Sequence, residues 1–507
     1  MPWLVIARYP VRRADWWILY LCILGMSFAQ LRWMTVADYR MLGTWALLAW
    51  WSSLFPWLAL RIVNRLFVNQ GIPFVISVPT IWISVEYGKA FLLTGFPWYF
   101  LAHSQHDNPQ FIQCADLSGT FGLSFLVGLA NGCLCDLIGL FVSGEFKKKR
   151  CLIICGSSLA MTIALLACGF CYGAWRLKNA EFAVGPVVAL LQGNHAQSVR
   201  NTEDHFRQTW LDYRDMLEQL KNQDIGLIVW PETSFPFELP VQTGSAGPLL
   251  GKNDEQEIWS GPPQLLGVNV VVLDGRQVIR RHNSSMLQDF KAGTVRRYDK
   301  IHRVPFGEYI PFREWIPLMN WFSPYDFDYS IQSGEVPTRF DIAWKHQDFS
   351  FYSLLCYEDS DFSLTRWAIG QSGVPDFWVN QSNDGWFQGT EEHCQHLATA
   401  RFRCVETGRS MVRAVNTGIS AIIDPLGQVQ ETQIDVNCSR IENGLFGTRS
   451  PSQNWSRHQN KSLILKGNIP IESRITIYSR YGDWLPWLSL IYVLFNLVNS
   501  FWRASSL

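Results

Sequence analysis

Apolar residues run along this chain in two different ways. In the first 175 residues, and again near the end, they form long unbroken stretches; between these they form short runs with strand or helix spacing. The long stretches are Trp16–Trp33, Met41–Leu60, Phe74–Leu93, Ser118–Val142, Cys151–Ala174 and Leu485–Trp502. Each approaches the roughly 20 residues that cross about 30 Å of hydrocarbon. They lack the polar face that soluble helices of such length carry. The third is the weakest, because Glu86 and Lys89 lie inside it; charges in a span usually face the bundle or a water-filled site.

The middle of the chain alternates strand-like and helix-like segments. Strands are expected at Pro186–Leu191, Gly226–Trp230, Gln264–Leu273, Val278–Leu287, Phe349–Cys356, Phe377–Gln381, Met411–Asn416 and Ile419–Asp424. Asp274-Gly275 is a hairpin turn between two of them. Apolar residues at helical spacing mark His205–Lys221 and Glu391–Gly408. Gly244–Gln264, rich in Gly, Pro and polar residues, reads as a loop. This order predicts a layered α/β domain with sheets inside and helices outside.

The division expected is therefore an N-terminal membrane bundle over 1–175, a catalytic domain over 176–480 and a last membrane helix over 481–507. Composition agrees: 48% of residues are hydrophobic and 17% charged, against a usual quarter or so charged. The formal net charge is zero, which gives no basis for a nucleic-acid partner. Arg8, Arg12 and Arg13, then Arg61 and Arg65, then Lys147 to Arg150, and finally Arg503 flank the stretches. With six spans these clusters share one side, which the positive-inside rule makes cytoplasmic. The α/β domain then lies outside, in the periplasm of a two-membrane bacterium. No small-residue cleavage site follows the first stretch, so a cleavable signal peptide is not expected.

Of the twelve cysteines, Cys22, Cys133, Cys135, Cys151, Cys155, Cys168 and Cys171 fall in or next to the spans, where Cys behaves as a small hydrophobe. Cys356, Cys394, Cys404 and Cys438 belong to the α/β domain. No Cys/His set has zinc spacing; His393 and His396 lack a second pair of ligands. No metal or organic cofactor is implied.

Three segments carry the candidate chemistry: Val229-Trp230-Pro231-Glu232-Thr233, Tyr298-Asp299-Lys300-Ile301-His302 and Leu355-Cys356-Tyr357-Glu358. They supply a carboxylate, an ammonium and a thiol. Glu232 and Cys356 each follow the end of a predicted strand. Glu232 is suited to take the thiol proton, since the thiolate is the nucleophilic form. Lys300 is suited to stabilise an oxyanion, with backbone N–H groups after Cys356.

These segments resemble the nitrilase superfamily, whose Glu-Lys-Cys triad has this chain order. The chain as a whole resembles the apolipoprotein N-acyltransferase family. The likeness rests on Leu93–Trp98 followed by His103-Ser104-Gln105, on Val229–Glu232, on the fourteen residues Tyr298–Pro311, on Cys356-Tyr357-Glu358, and on Ser382–Phe387, Gln395-His396 and Ala400–Gly418. It implies a multi-pass α-helical membrane bundle joined to a nitrilase-like αββα sandwich. It also implies transfer of an acyl chain from a phospholipid, typically phosphatidylethanolamine, through a Cys356 thioester to the α-amino group of a diacylglyceryl-cysteine that begins an apolipoprotein. Glu232, Lys300 and Cys356 are then catalytic. Glu308 matches a supporting carboxylate that orients Lys300, Glu358 holds the site, and Tyr357 lines the pocket. Asn283 matches a family Asn, although its neighbours His282 and Ser284 depart from the pattern. Phe96, Trp98, Trp386 and Phe387 are candidates for lipid or substrate contact. A monomer in the bacterial inner membrane is expected. Six spans stand against the eight common in that family; Pro2–Ile6 looks like the tail of a further helix. The alternatives are a membrane-anchored amidase with the same triad and a silent membrane scaffold.

Overall fold

The computed structural model describes residues 2–144, 149–195, 203–241, 261–275, 277–289, 293–323, 329–430, 433–435 and 461–505. Lys147, Lys148, Cys438 and most of the 244–264 segment lie outside them. The chain divides into two compact units, one comprising Met1–Thr35, Leu42–Ala180 and Thr476–Leu507, the other Val36–Met41 and Glu181–Ile475.

The first unit is helical. Its long helices are α1 (Arg13–Gln30), α2 (Leu42–Gln70), α3 (Phe74–Phe91), α4 (Thr120–Val142) and α5 (Lys149–Asn179), together with the C-terminal helix Trp484–Ser505. All six apolar stretches are thus helical. Among the described residues three of these helices, α2, α4 and α5, are long and apolar enough to cross a membrane. Helix α2 runs past Leu60, so Arg61 and Arg65 lie within it rather than after it. The Arg61 guanidinium lies over the rings of Trp16, at 5.6 Å, and Trp57, at 4.9 Å. An aromatic face shelters its stem and offsets the cost of the charge in an apolar helix.

Small residues let α3 and α4 approach closely. A Cβ on Gly132 would come within 2.3 Å of the Phe74 carbonyl oxygen, so a larger side chain there would force the helices apart. The charges inside α3 face inward. Glu86 accepts from Trp82 Nε1 at 3.0 Å and from the Leu101 N–H at 2.7 Å. Lys89 donates to the Trp98 carbonyl at 2.8 Å. Two charges inside an apolar helix therefore serve as anchors for the following loop.

The second unit is a sandwich. One sheet has strand order β12-β13-β1-β2-β4-β5-β6 with β3 beside β4; the other has order β11-β10-β9-β8-β7. In chain order these are β1 Ala183–Gln192, β2 Leu227–Val229, β3 Glu238–Pro240, β4 Gln264–Asp274, β5 Gln277–Asp289, β6 Thr294–Asp299, β7 Arg339–Trp344, β8 Gln347–Leu355, β9 Phe377–Ser382, β10 Ser410–Val415, β11 Ala421–Ile423, β12 Gln433–Asp435 and β13 Leu463–Ile471. Helices α6 (Glu203–Leu220), α7 (Phe362–Ser372) and α8 (Glu392–Thr407) complete it.

The period of two along each strand builds the layers. On β1, Val188 and Leu190 pack between the sheets, with Phe351, Leu355, Val379 and Val412 from the other sheet. Ala189 and Leu191 face the opposite way, onto Tyr213, Met216 and Leu220 of α6. On β8, Tyr352 and Leu354 face Leu364 and Ala368 of α7 and Leu397 and Ala400 of α8. The result is helix, sheet, sheet, helix, the sandwich expected from the sequence. Full burial of each large apolar side chain contributes roughly 1.5–3 kcal/mol.

Strands β1, β2 and β4 are parallel neighbours, as are β8, β9 and β10. The crossovers from β1 to β2, from β8 to β9 and from β9 to β10 run through α6, α7 and α8, so the loops leaving these C-terminal strand ends are free to carry function. A polar stitch joins the sheets there: Gln381 Nε2, in β9, donates to the Trp230 carbonyl just past β2 at 2.7 Å.

Candidate active site

Cys356 is the first residue past β8 and begins a 3₁₀ turn over Cys356–Ser360. Its φ is +52°. A non-glycine residue held there costs about 1–3 kcal/mol and persists only where its surroundings impose it. Those surroundings are visible. The Leu355 N–H donates to Glu358 Oε2 at 2.7 Å, and Asn380 Nδ2 donates to the Cys356 carbonyl at 3.0 Å. The chain thus turns sharply after a buried strand and presents the half-buried thiol at its end.

Glu232 follows β2 by way of Trp230-Pro231 and is 6% exposed. Thr233, next to it, also has a positive φ of 48°. Glu232 Oε1 accepts from Asn283 Nδ2 at 2.7 Å and from Lys300 Nζ at 3.0 Å. Lys300, which is wholly buried, also donates to Glu308 Oε1 at 2.7 Å. Glu308 is fixed in turn through Oε2, which accepts from the Val304 N–H at 2.7 Å. One ammonium is therefore shared by two carboxylates.

Burial raises the Glu232 pKa, and the Glu308 charge adds to it, against the pull of Lys300. For Lys300, burial disfavours the charge, but the two carboxylates outweigh it and hold the pKa well above its ordinary value. The Cys356 thiol is pushed well up, first by burial and then by the negative Glu232, with Lys300 opposing. The surroundings thus favour a protonated thiol and a charged ammonium beside a carboxylate more basic than usual. Such a set can pass a thiol proton to a carboxylate as the sulfur attacks a carbonyl.

Glu358 ties two of the three segments together. Besides Leu355, it accepts from Tyr298 Oη at 2.8 Å and from the N–H groups of Ile301, at 2.7 Å, and His302, at 2.9 Å. Burial is the main reason its pKa rises to about 7. Tyr357 packs edge-on against His302, with ring centroids 5.4 Å apart. Trp386 and Phe387 lie half-buried in the turn after β9. Phe96 and Trp98 belong to the helical unit, where they stack at 6.3 Å and Trp98 is 3% exposed. Of the eleven positions singled out from the sequence, Glu232, Lys300, Glu308 and Asn283 are joined directly by hydrogen bonds.

Residues 1–133 match the apolipoprotein N-acyltransferase N-terminal domain, and residues 187–435 match the carbon-nitrogen hydrolase family. An apolipoprotein N-acyltransferase of Geobacter metallireducens is 30% identical over 481 residues, covering 93% of this chain and 81% of the relative. That of Haemophilus influenzae is 28% identical, covering 84% of this chain and 80% of the relative. A CN-hydrolase superfamily structure from Xanthomonas campestris covers 56% of this chain and 90% of its own, at 16% identity and a TM-score of 0.36.

This chain belongs to the apolipoprotein N-acyltransferase family. It is an acyltransferase of the carbon–nitrogen hydrolase superfamily, and these relatives do not favour the amidase alternative.

Behind the nucleophile turn lies a second charged cluster that the sequence did not disclose. Arg413 donates to Asp359 Oδ2 at 2.9 Å, Asp384 Oδ2 at 2.8 Å and Asn380 Oδ1 at 2.6 Å. His396 bridges the remaining oxygens, at 2.9 Å to Asp359 Oδ1 and 3.0 Å to Asp384 Oδ1. The two carboxylates raise the His396 pKa to about 10 against burial and the Arg413 charge. Asp384, Glu392 and His396 bring ligand-type atoms within 4.8 Å of one another. Arg413 and His396, however, already supply the two positive charges that Asp359 and Asp384 need. Asn380 links this cluster to the Cys356 carbonyl. A signal existed in the sequence, in the nearness of His396 to Asp384, but Arg413 reads there as an ordinary strand residue.

Proposed function

We propose that lipoprotein N-acylation, the activity that names this family, runs here through Glu232, Lys300 and Cys356 in two half-reactions. In the first, Glu232 takes the Cys356 proton while the sulfur attacks an ester carbonyl of a phospholipid. Lys300 spends two of its three N–H donors on Glu232 and Glu308, leaving one for the oxyanion. Collapse breaks the ester C–O bond, Glu232 returns the proton to the departing oxygen, and a lysophospholipid leaves. In the second half, the α-amine of the diacylglyceryl-cysteine attacks the thioester carbonyl. Its proton passes to Glu232, the C–S bond breaks, and the thiol is restored.

The observation that carries this reading is the buried Lys300 held between Glu232 and Glu308. It keeps a cation charged where an oxyanion must form, while burial and then the Glu308 charge leave Glu232 more basic than an ordinary carboxylate. Glu308 and Asn283 orient the pair, and Glu358 and Tyr357 hold the turn. Phosphatidylethanolamine is the donor we favour. The segment 176–480 is the catalytic domain, flanked by membrane segments 1–175 and 481–507. It faces the periplasm from the inner membrane, as the distribution of basic residues indicates, and it acts as a monomer.

Intact-mass measurement after incubation with phosphatidylethanolamine tests this. An added acyl mass, released by hydroxylamine and absent in Cys356→Ala, supports the thioester. An unmodified mass from folded protein overturns it.

A further inference from the structure

The sandwich contains a cavity that the two half-reactions leave unassigned. It measures about 450 Å³ and has Glu232 in its wall, within the range of roughly 300–1,000 Å³ usual for ligand sites. It lies where the C-terminal ends of several parallel strands meet. His195 follows β1, Glu232 follows β2, Asn383 follows β9 and Asn416 follows β10. The Glu232 oxygen bonded to Lys300 and Asn283 is Oε1; Oε2 has no hydrogen-bond partner among the described residues.

The lining tells which chemistry fits. Glu232 and Glu238 are the carboxylates of its lining, paired behind the wall with Lys300 and Arg281, and no described Lys or Arg lines the cavity itself; the wall thus offers acceptors to an amine and no cation to a phosphodiester. The rest of the polar wall is neutral and amide-rich. Asn416 is locked, accepting from the His195 N–H at 3.1 Å and donating to the His195 carbonyl at 2.8 Å. Asn269, half-buried on β4, spends neither end of its side-chain amide on any described residue. His195 Nε2 is buried with no hydrogen-bond partner, its nearest carboxylate oxygen on Asp212 being 3.8 Å away. Burial lowers the His195 pKa, so the ring is neutral. Phe235 and Phe237 close an apolar side. Neutral donors and acceptors beside an apolar wall suit a peptide backbone with small side chains.

We propose that this cavity binds the first peptide units after the acceptor cysteine, in extended form, with Asn269 and His195 hydrogen-bonding their amides while the α-amine sits at Glu232. The inference rests on Glu232 being the base of the second half-reaction. The amine must reach that carboxylate, and the chain attached to it must go somewhere beside it. Recognition of backbone amides also suits an enzyme whose acceptors share an N-terminal cysteine but differ beyond it.

The test uses the full-length protein in phospholipid–detergent micelles, first loaded to the thioester and then given one of two acceptors. One is diacylglyceryl-cysteine carrying four further residues; the other is diacylglyceryl-cysteine amide. We expect the peptide-bearing acceptor to have the higher kcat/KM, and Asn269→Leu and His195→Phe each to lower the ratio of the two values about tenfold. His195→Gln, which keeps a hydrogen-bonding side chain, should restore part of the ratio, as a purely structural role would not. An unchanged ratio in both variants overturns the proposal. So does a variant defect confined to loading from phosphatidylethanolamine, which would make the cavity a donor site. Failure of the wild-type protein to load at all would remove the underlying reading of Glu232 instead, and is seen before any acceptor is added.

Discussion

Two buried charge clusters sit on either side of the Cys356 turn, and they are built on opposite plans. The Glu232–Lys300–Glu308 cluster has two carboxylates and one ammonium. The second cluster sets Asp359, Asp384 and Glu392 against Arg413 and His396, with Asp359 and Asp384 each touching both cations; burial and then the Asp384 charge raise the Glu392 pKa to about 8, so at neutral pH two anions face two cations. A buried cluster with balanced charge and closed hydrogen bonds holds its shape. A cluster one cation short keeps a carboxylate that gains from taking a proton. The comparison teaches that burial alone does not make a group reactive. The imbalance does, and the balanced neighbour holds the turn on which the thiol sits.

The sharpest way to break the comparison is to remove the proposed proton acceptor while keeping its shape. Glu232→Gln should slow thioester formation by about 10²–10⁴-fold, read as the single-turnover rate of acyl-mass gain, with little change in thermal unfolding. A mutant that loads at the wild-type rate would show that another group takes the proton. The balanced cluster should answer the opposite way. Arg413→Met leaves Asp359 and Asp384 facing one another with His396 alone, and breaking a buried pair in this manner costs about 3–5 kcal/mol. The melting temperature should fall sharply. Lys300→Met should abolish loading at a smaller cost in stability, because Glu232 borders a cavity and can neutralise itself by protonation.

Much of this architecture was legible in the residue pattern, and the parts that were not share a physical cause. Strands β1, β2, β8 and β9 carry dense apolar runs, and Asp274-Gly275 announces its hairpin. By contrast β13 contains Lys466, Gly467 and Pro470 and pairs with β1 from more than 270 residues away, so nothing local marks it. Strand β6 carries Arg296 and Arg297 at a sheet edge and reads as a polar loop. Glu232 and Cys356 stood out because each follows a recognisable apolar run, and Lys300 because of the fourteen-residue segment Tyr298–Pro311 around it. Asp359, Asn380 and Arg413 did not, because their partners are brought together only when β8, β9 and β10 align.

Alkali should separate the clusters further. His396 has a folded pKa of about 10, above the roughly 6.5 of an unfolded histidine. Its stabilising contribution is therefore complete below about pH 6.5 and is lost as pH rises through about 10. Wild-type stability should fall between pH 7 and pH 10 with a slope of up to about 1.4 kcal/mol per pH unit from this group. His396→Gln should start lower and show a flatter profile in denaturant titrations at stepped pH. Equal slopes in both proteins would mean that His396 is neutral in the native cluster.

The smallest effect belongs to Glu308, and it tests the imbalance directly. The negative charge of Glu308 favours the protonated form of Glu232, so its removal should lower the Glu232 pKa. In the proposed mechanism loading requires Glu232 as the carboxylate, which places the acid limb of the pH–rate profile at the raised Glu232 pKa. Glu308→Gln should therefore move that limb toward lower pH, by about one unit if the charge acts over hydrogen-bond distances. The plateau rate should fall as well, because Lys300 loses one of its two anchors and a weaker base accepts the thiol proton less readily. A limb that stays in place while the plateau falls would mean that Glu308 only positions Lys300. A limb that moves with the plateau would show that the missing cation is what tunes the base.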